Sequence, residues 1–222
     1  LVGSEMCIRD SLPPRELLTR ERIIDAAVAI AATEGVKQLT MARLAKRLEV
    51  TAAALYKHAD SKDDILVSVQ DRLMQQVDIS RFEDSDIRTA LRAWARSYRD
   101  VMAAHPALIS AISVMPIDGA EATTAMYETV AAGLLDAGWD EGDIIPTIVA
   151  LESFIFGSAY DVTADRNIFD LEDSREAPVF ASAAMLHFTE RTREEAVDEA
   201  FELGLDALLA QLTVRCLAAG LP

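Results

Sequence analysis

The sequence predicts an all-α protein: a small three-helix head containing a helix-turn-helix, followed by a larger helical body. Three observations carry this. Apolar residues recur at three- and four-residue spacing, and no run alternates as a strand would. Capping residues stand just before the periodic stretches at Thr19, Thr40, Thr51 and Ser61. Between Thr40 and Lys62 two short helical patterns meet at Glu49-Val50-Thr51, the layout of a helix-turn-helix.

Each element follows in order. Residues 1–11 begin without methionine and show no periodicity, so residues 1–14 are expected to be a non-native or disordered lead. Pro13-Pro14 marks the break before the first helix. That helix is expected over 19–34, with Ile23, Ile24, Ala27, Ile30 and Ala31 on one apolar face. Thr19 caps its start, and Gly35 is expected to end it in a left-handed conformation. Thr40 caps the second helix, which turns Leu44, Ala45 and Leu48 inward. Thr51 caps the third, which turns Ala54 and Leu55 inward. Ser61 caps the fourth, where Asp63 and Asp64 suit the positive end of the helix dipole. Further helices are expected near 87–104, 106–114, 120–137, 143–163, 178–188 and 193–219. Pro146 is expected in a first turn, where its missing N–H costs little. The polar stretch 165–177 is expected to be a flexible loop.

The chain has 222 residues, 51% of them hydrophobic, which suffices for a sizeable core. Its net charge of -16, taken whole, argues against a polyanionic partner. The distribution reverses that argument. Residues 15–62 hold nine Lys or Arg against six Asp or Glu, a net of +3. Residues 63–222 hold eleven against twenty-nine, a net of -18. All four lysines (Lys37, Lys46, Lys57 and Lys62) fall in the basic segment. A basic head on an acidic body is expected where only the head approaches phosphates. Residues 15–62 are therefore read as one domain and 63–222 as another. Cys7 and Cys216 make neither a metal spacing nor a disulfide framework, which fits a reducing, cytoplasmic setting. No apolar run is read as reaching the ~18 residues a membrane span needs.

DNA affinity comes largely from phosphate contacts, and sequence discrimination from base edges. Thr40 and Met41 place free amides and a hydroxyl at a helix start, and Thr51 does the same for the next helix. Ala52 and Ala53 are small enough for close approach to a major groove, where a methyl can touch thymine. Tyr56 and Lys57 are expected to project outward to bases or phosphates, with His58 and Lys62 following on the same side. Arg43 and Arg47 are expected to reach the backbone or remain solvated. Tyr56 as a packing residue and His58 as a helix cap are the bland alternatives.

The first helix, Leu44-Ala45-x-x-Leu48-x-Val50-Thr51, Leu55-Tyr56-x-His58 and Ser61-Lys62 resemble the DNA-binding domain of the TetR (tetracycline-repressor) family of bacterial transcriptional regulators. The resemblance covers roughly residues 17–66. It implies a homodimer reading a palindromic operator, with Thr40, Thr51, Tyr56, His58 and Lys62 facing DNA. Two positions depart from the family's pattern. Glu49 stands where the family often has Gly, and Ala59 where it commonly has an aromatic residue.

The body resembles the family's helical ligand-binding and dimerisation domain more weakly. Its last helix carries an apolar stripe of Phe201, Leu205, Leu208, Leu209 and Leu212, with Gly204 and Ala207 permitting close approach. With Leu151, Ile155 and Ser158 of the 143–163 helix, this stripe is expected at a subunit interface, by the family's intersubunit four-helix bundle. Trp94, Tyr98, Met102, His105, Met115, Met126, Tyr127, Phe154 and Tyr160 are the candidate lining of a hydrophobic effector's pocket. The mechanism implied is repression relieved by a small molecule that shifts the helix arrangement.

No cofactor and no metal site is expected. Three histidines, His58, His105 and His187, stand far apart, and no glycine-rich phosphate loop is present, so an enzyme is not expected. The rival is a helical binding or scaffold protein of the same fold without sequence-specific DNA recognition.

Overall fold

The computed structural model describes residues 17–162, 169, 176–189 and 191–219, with side chains through Leu212. The lead at 1–14, Cys7, the side chain of Cys216 and most of the expected loop at 165–177 lie outside the described residues.

Ten α-helices occur among the described residues: α1 (Arg20–Glu34), α2 (Met41–Arg47), α3 (Ala52–Leu55), α4 (Lys62–Met74), α5 (Ile87–Ala103), α6 (Pro106–Ile112), α7 (Glu121–Asp136), α8 (Glu141–Val162), α9 (Pro178–Thr189) and α10 (Arg193–Ala219). Two short 3-10 turns, Val36–Gln38 and Ser80–Phe82, add to the expected set. The first four helices are capped as the sequence predicts. Thr19, Thr40, Thr51 and Ser61 accept hydrogen bonds from the backbone N–H groups of Arg22, Arg43, Ala54 and Asp64. Asp64 also reaches back, accepting the amide of Asp60 at 3.1 Å, a variant of the reciprocal capping box.

Four expectations are corrected in detail. Gly35 has φ 87° but ψ 153°, which lies outside the left-handed helical well in a region that is essentially glycine's own. The third helix is a single turn. After Leu55 the chain tightens, with the His58 amide donating to the Leu55 carbonyl three residues back. Helix α8 begins at Glu141, so Pro146 lies inside the helix and removes the bond that the Gly142 carbonyl would accept. By length and composition α8 is also apolar enough to cross a bilayer, yet Ile144, Ile148, Leu151, Ile155 and Ala159 are buried in the protein.

One hydrophobic core runs from head to body. Helix α1 packs on α4, α2 and α6, α4 packs on α7, and α5 packs on α8, which in turn meets α10. The arrangement consumes the stripe expected at a subunit interface. Leu151, Ile155, Phe201, Leu205 and Leu209 are at most 2% exposed, Ser158 is buried, and Leu208 and Leu212 pack partly buried against the same core. Each of the five fully buried apolar side chains contributes about 1.5–3 kcal/mol by leaving water, and within one chain that burial carries no association entropy. The large apolar residues these helices leave exposed are others: Ile145, Val149, Tyr160 and Val162 on α8 and Leu203 on α10.

Charge closes the body. Arg92 bridges Glu202 and Asp206, Arg96 meets Glu202 at 2.5 Å, Arg88 meets Asp206 at 3.3 Å, and Arg99 meets Asp198 at 2.6 Å. Four arginines of α5 are thus held by three acids of α10.

Candidate nucleic-acid interface and body cavity

The turn between α2 and α3 decides how the head presents its surface. Glu49 sits at φ 54°, the left-handed conformation that its glycine-favouring position demands. Val50 donates to the Ala45 carbonyl at 3.0 Å and closes the end of α2. Ala59 is buried, its methyl filling a place where a larger ring would have to be accommodated.

Beyond the turn Thr51, Ala52, Ala53, Tyr56 and Lys57 form a contiguous exposed surface. Tyr56 is 53% exposed, against the packing alternative. His58 and Lys62 are half-buried, and among the described residues no side-chain hydrogen bond makes His58 a helix cap. Thr40 is exposed, while the Met41 side chain packs partly buried against the core, leaving that residue's amide as its polar contribution at the helix start. Arg43 is not simply solvated, because it pairs with Glu34 of α1 at 2.5 Å. Arg20 is likewise held by Asp64 and Ser68, bonding across α1 and α4. Within the head, the cations without an ion pair among the described residues are Lys37, Lys46, Arg47, Lys57 and Lys62. Lys37 and Lys46 were not singled out by pattern, and only the pairing of their neighbours distinguishes them.

The nine candidate pocket residues do not line one cavity, although Trp94, Tyr98 and Tyr127 are neighbours. Trp94, Tyr98, Met102 and Met126 are core, and Met115 packs partly buried against it. Tyr160 is exposed. His105 lines a small cavity of about 170 Å³ between α1 and α4, beside Asp25, Arg72 and Gln76. Burial, and then the Arg72 charge, holds its pKa below the ordinary value. Tyr98 and Tyr127 converge on Glu152 of α8, whose Oε1 accepts both hydroxyls, the first at 3.2 Å. Burial pushes the Glu152 carboxyl up, against the two hydroxyl donors that favour its charged form. Burial, with Glu152 next, raises both tyrosines. A carboxylate in the apolar run Ile148-Val-Ala-Leu-Glu-Ser-Phe-Ile155 was the sequence signal for this centre.

The larger cavity, about 450 Å³, lies between α8, α9 and α10. Of the nine candidates Phe154 alone lines it. Its ring stacks on Phe201 with centroids 5.3 Å apart and planes 7° from parallel. The guanidinium of Arg99 also stands over the Phe201 ring, 4.6 Å from its centroid. Arg99 is 6% exposed, with Nε and Nη2 lacking hydrogen-bond partners, so the ring face and Asp198 stabilise a charge that burial would otherwise penalise. Among the described residues no group of three His, Cys, Asp or Glu side chains is placed to hold a metal.

Comparison with known proteins places these features. Residues 23–69 match the family described as "Bacterial regulatory proteins, tetR family", and residues 81–215 match "Tetracyclin repressor-like, C-terminal domain". An HTH-type transcriptional regulator of Saccharopolyspora erythraea is 33% identical over 144 residues, covering 65% of this chain and 61% of that protein. The HTH-type transcriptional repressor DrrR1 of Streptomyces coeruleorubidus is 30% identical over 152 residues, covering 68% and 56%. The chain thus matches about three-fifths of the length of these relatives. In fold it is similar to ActR of Streptomyces coelicolor, with a TM-score of 0.73 at 24% identity over 95% of this chain and 100% of that one. ActR has also been solved in complex with actinorhodin.

Proposed function

The chain belongs to the tetR family of bacterial regulatory proteins, and we propose that it is a DNA-binding transcriptional repressor released from a palindromic operator by a small molecule. The observation that carries this is the exposed surface Thr51-Ala52-Ala53 with Tyr56 and Lys57, set on the basic part of an otherwise acidic chain. Lys37, Lys46, Arg47 and Lys62 add charge to the head that no carboxylate of the described residues holds in an ion pair. Phosphate contacts by these cations set affinity, and the short α3 presents small side chains to base edges.

The division of labour follows the charge. Residues 15–62 bind DNA, and residues 63–222 bind the effector and the second subunit. A palindrome needs two heads, with half-sites about one turn, ~34 Å, apart. We place the partner against the exposed apolar residues of α8, α9 and α10 rather than the buried stripe. The effector acts through its differential affinity for two arrangements of the body. The relative named as a repressor and the ligand complex of ActR support this reading. No catalysis is proposed, and the protein works in the cytoplasm, where its operator is.

The test is selection of the purified protein on a randomised duplex pool at near-physiological salt. A recovered palindrome is expected. Recovery of no sequence preference by a folded, dimeric sample overturns the reading in favour of a scaffold.

A further inference from the structure

We propose that Asp71 of α4 is the positioning residue that ties head to body: it caps α7 from another helix, so that a displacement of α7 is passed through α4 to the DNA-facing surface. This deepens the reading of the chain as an effector-released repressor and rests on it for the role of the head.

Helix α4 begins where the basic head ends, and its polar contacts fall into two rows at four-residue spacing. Asp64, Ser68 and Arg72 face α1. Arg20 Nη2 donates to Asp64 at 3.0 Å and to Ser68 at 2.7 Å, and Arg72 Nη1 donates to Asp25 at 2.5 Å. Val67 and Asp71 face the start of α7 instead. Asp71 Oδ1 accepts the Thr123 amide at 2.9 Å and the Thr123 hydroxyl at 3.3 Å. One side of the helix grips the head, and another grips the body.

The grip on α7 has no substitute. The first-turn amides of a helix need acceptors from outside it. Thr19, Thr40, Thr51, Ser61 and Asp86 supply one to the helices they precede. Ala120, in the same position before α7, has no side-chain oxygen. The task passes to a carboxylate 52 residues earlier in the chain. Thr123 is fully buried, so solvent does not reach its amide, and losing Asp71 leaves a buried donor unpaired. Gly119 delivers the start of α7 to this place. Its φ of 80° lies in the left-handed region, and Val67 Cγ1 stands 4.0 Å from where its Cβ would be.

Apolar contacts tolerate sliding of one helix on another, whereas a directional bond to a single amide sets the register of α4 against α7. From α4 the path enters α1 through Arg20 and Asp25. It continues to α2 where Glu34 meets Arg43 at 2.5 Å, one helix before the DNA-facing α3.

The test compares Asp71→Ala with Asp86→Ala in the full chain. Asp86 accepts the Thr89 amide of its own helix at 3.1 Å, so its loss removes a cap of the same chemistry without parting two helices. The first arm is hydrogen exchange read by mass spectrometry, without DNA. Asp71→Ala is expected to speed exchange about fivefold at 121–125 and also in α1 and α4. Asp86→Ala is expected to do so at the start of α5 alone. Asp71→Asn keeps an acceptor oxygen and is expected to stay within about twofold of wild type. The second arm is affinity for the selected palindrome against duplexes with one or two base pairs inserted between the half-sites. Wild type and Asp86→Ala are expected to share one spacing preference, and Asp71→Ala to reduce it about fivefold. Should Asp71→Ala not fold, Asp71→Ser, whose hydroxyl lies one bond short of the carboxylate oxygens, takes its place. Faster exchange confined to 121–125, an Asp71→Asn that behaves as Asp71→Ala, or an unchanged spacing preference overturns the proposal. The exchange arm uses no DNA. If no palindrome is recovered, the regulatory reading falls, and exchange still decides whether Asp71 joins head to body.

Discussion

Gly204 of α10 lies so close under the Phe154 ring of α8 that the two residues specify each other, since the methyl of an alanine at 204 would sit 2.5 Å from Phe154 Cζ. Phe154 has no easy retreat, because its ring also stacks on Phe201. Gly204→Ala is therefore expected to destabilise the protein by about 1–2 kcal/mol through overpacking, although alanine is the better helix former by roughly 1 kcal/mol. Urea denaturation of the two proteins checks this. A stabilised variant would mean that the ring swings away without cost.

Glu152 gives a pH signature. In the unfolded chain it releases its proton near 4.5, and in the fold burial makes it hold the proton to higher pH. Between those values the native state carries the extra proton, so this group's contribution to stability falls as pH rises. Glu152→Gln keeps an oxygen for Tyr98 and Tyr127 and removes the titration. The variant's stability relative to wild type is expected to grow from pH 4.5 to pH 7.5, and denaturation midpoints across that range measure it. His105 has the opposite sign. Its native pKa lies below 6.5, so its contribution to stability is lost as pH falls below that value.

Thr51 holds the start of α3 by accepting the Ala54 amide at 3.2 Å. A one-turn helix has little else to fix its first residues. Thr51→Ala is expected to cost about 1 kcal/mol, with Thr51→Ser recovering most of it. Thermal unfolding of the three proteins separates this capping role from any contact with DNA, which filter binding would report.

Lys57 is expected to serve phosphate rather than base. Lys57→Ala should weaken binding about equally on selected and unselected duplexes, and should lower the slope of log affinity against log salt by about one. A loss confined to the selected sequence would instead make Lys57 a reader of base edges. Tyr56→Ala provides the comparison on the neighbouring side chain.

The head was largely legible because its signals are local. Caps at Thr19, Thr40, Thr51 and Ser61 act within three residues, and each is present. Glu49 was legible too, as a residue placed where a left-handed turn is needed. Arg43 was not, because its partner Glu34 belongs to another helix and helix-to-helix distances are not written in one stretch of sequence. The same limit governs the body. An apolar stripe such as Leu151, Ile155 and Leu205 has the same periodicity whether it faces its own chain or a second one. The cavity escaped for a related reason. Its walls come from three helices, and Gly157 and Gly204 mark it by atoms they lack, whereas the aromatic residues that attracted notice, Trp94 and Tyr98, fill the core.

The confinement of every lysine to the head has a practical consequence. Side-chain amines are the usual targets of bifunctional succinimidyl esters, and Lys37, Lys46, Lys57 and Lys62 are the only ones this chain offers. In an assembly of two copies, any bridge between lysines of different copies must join one head to the other. A series of such reagents with graded spacer lengths is thus a molecular ruler for head separation, readable with and without an added small molecule and requiring no engineered label.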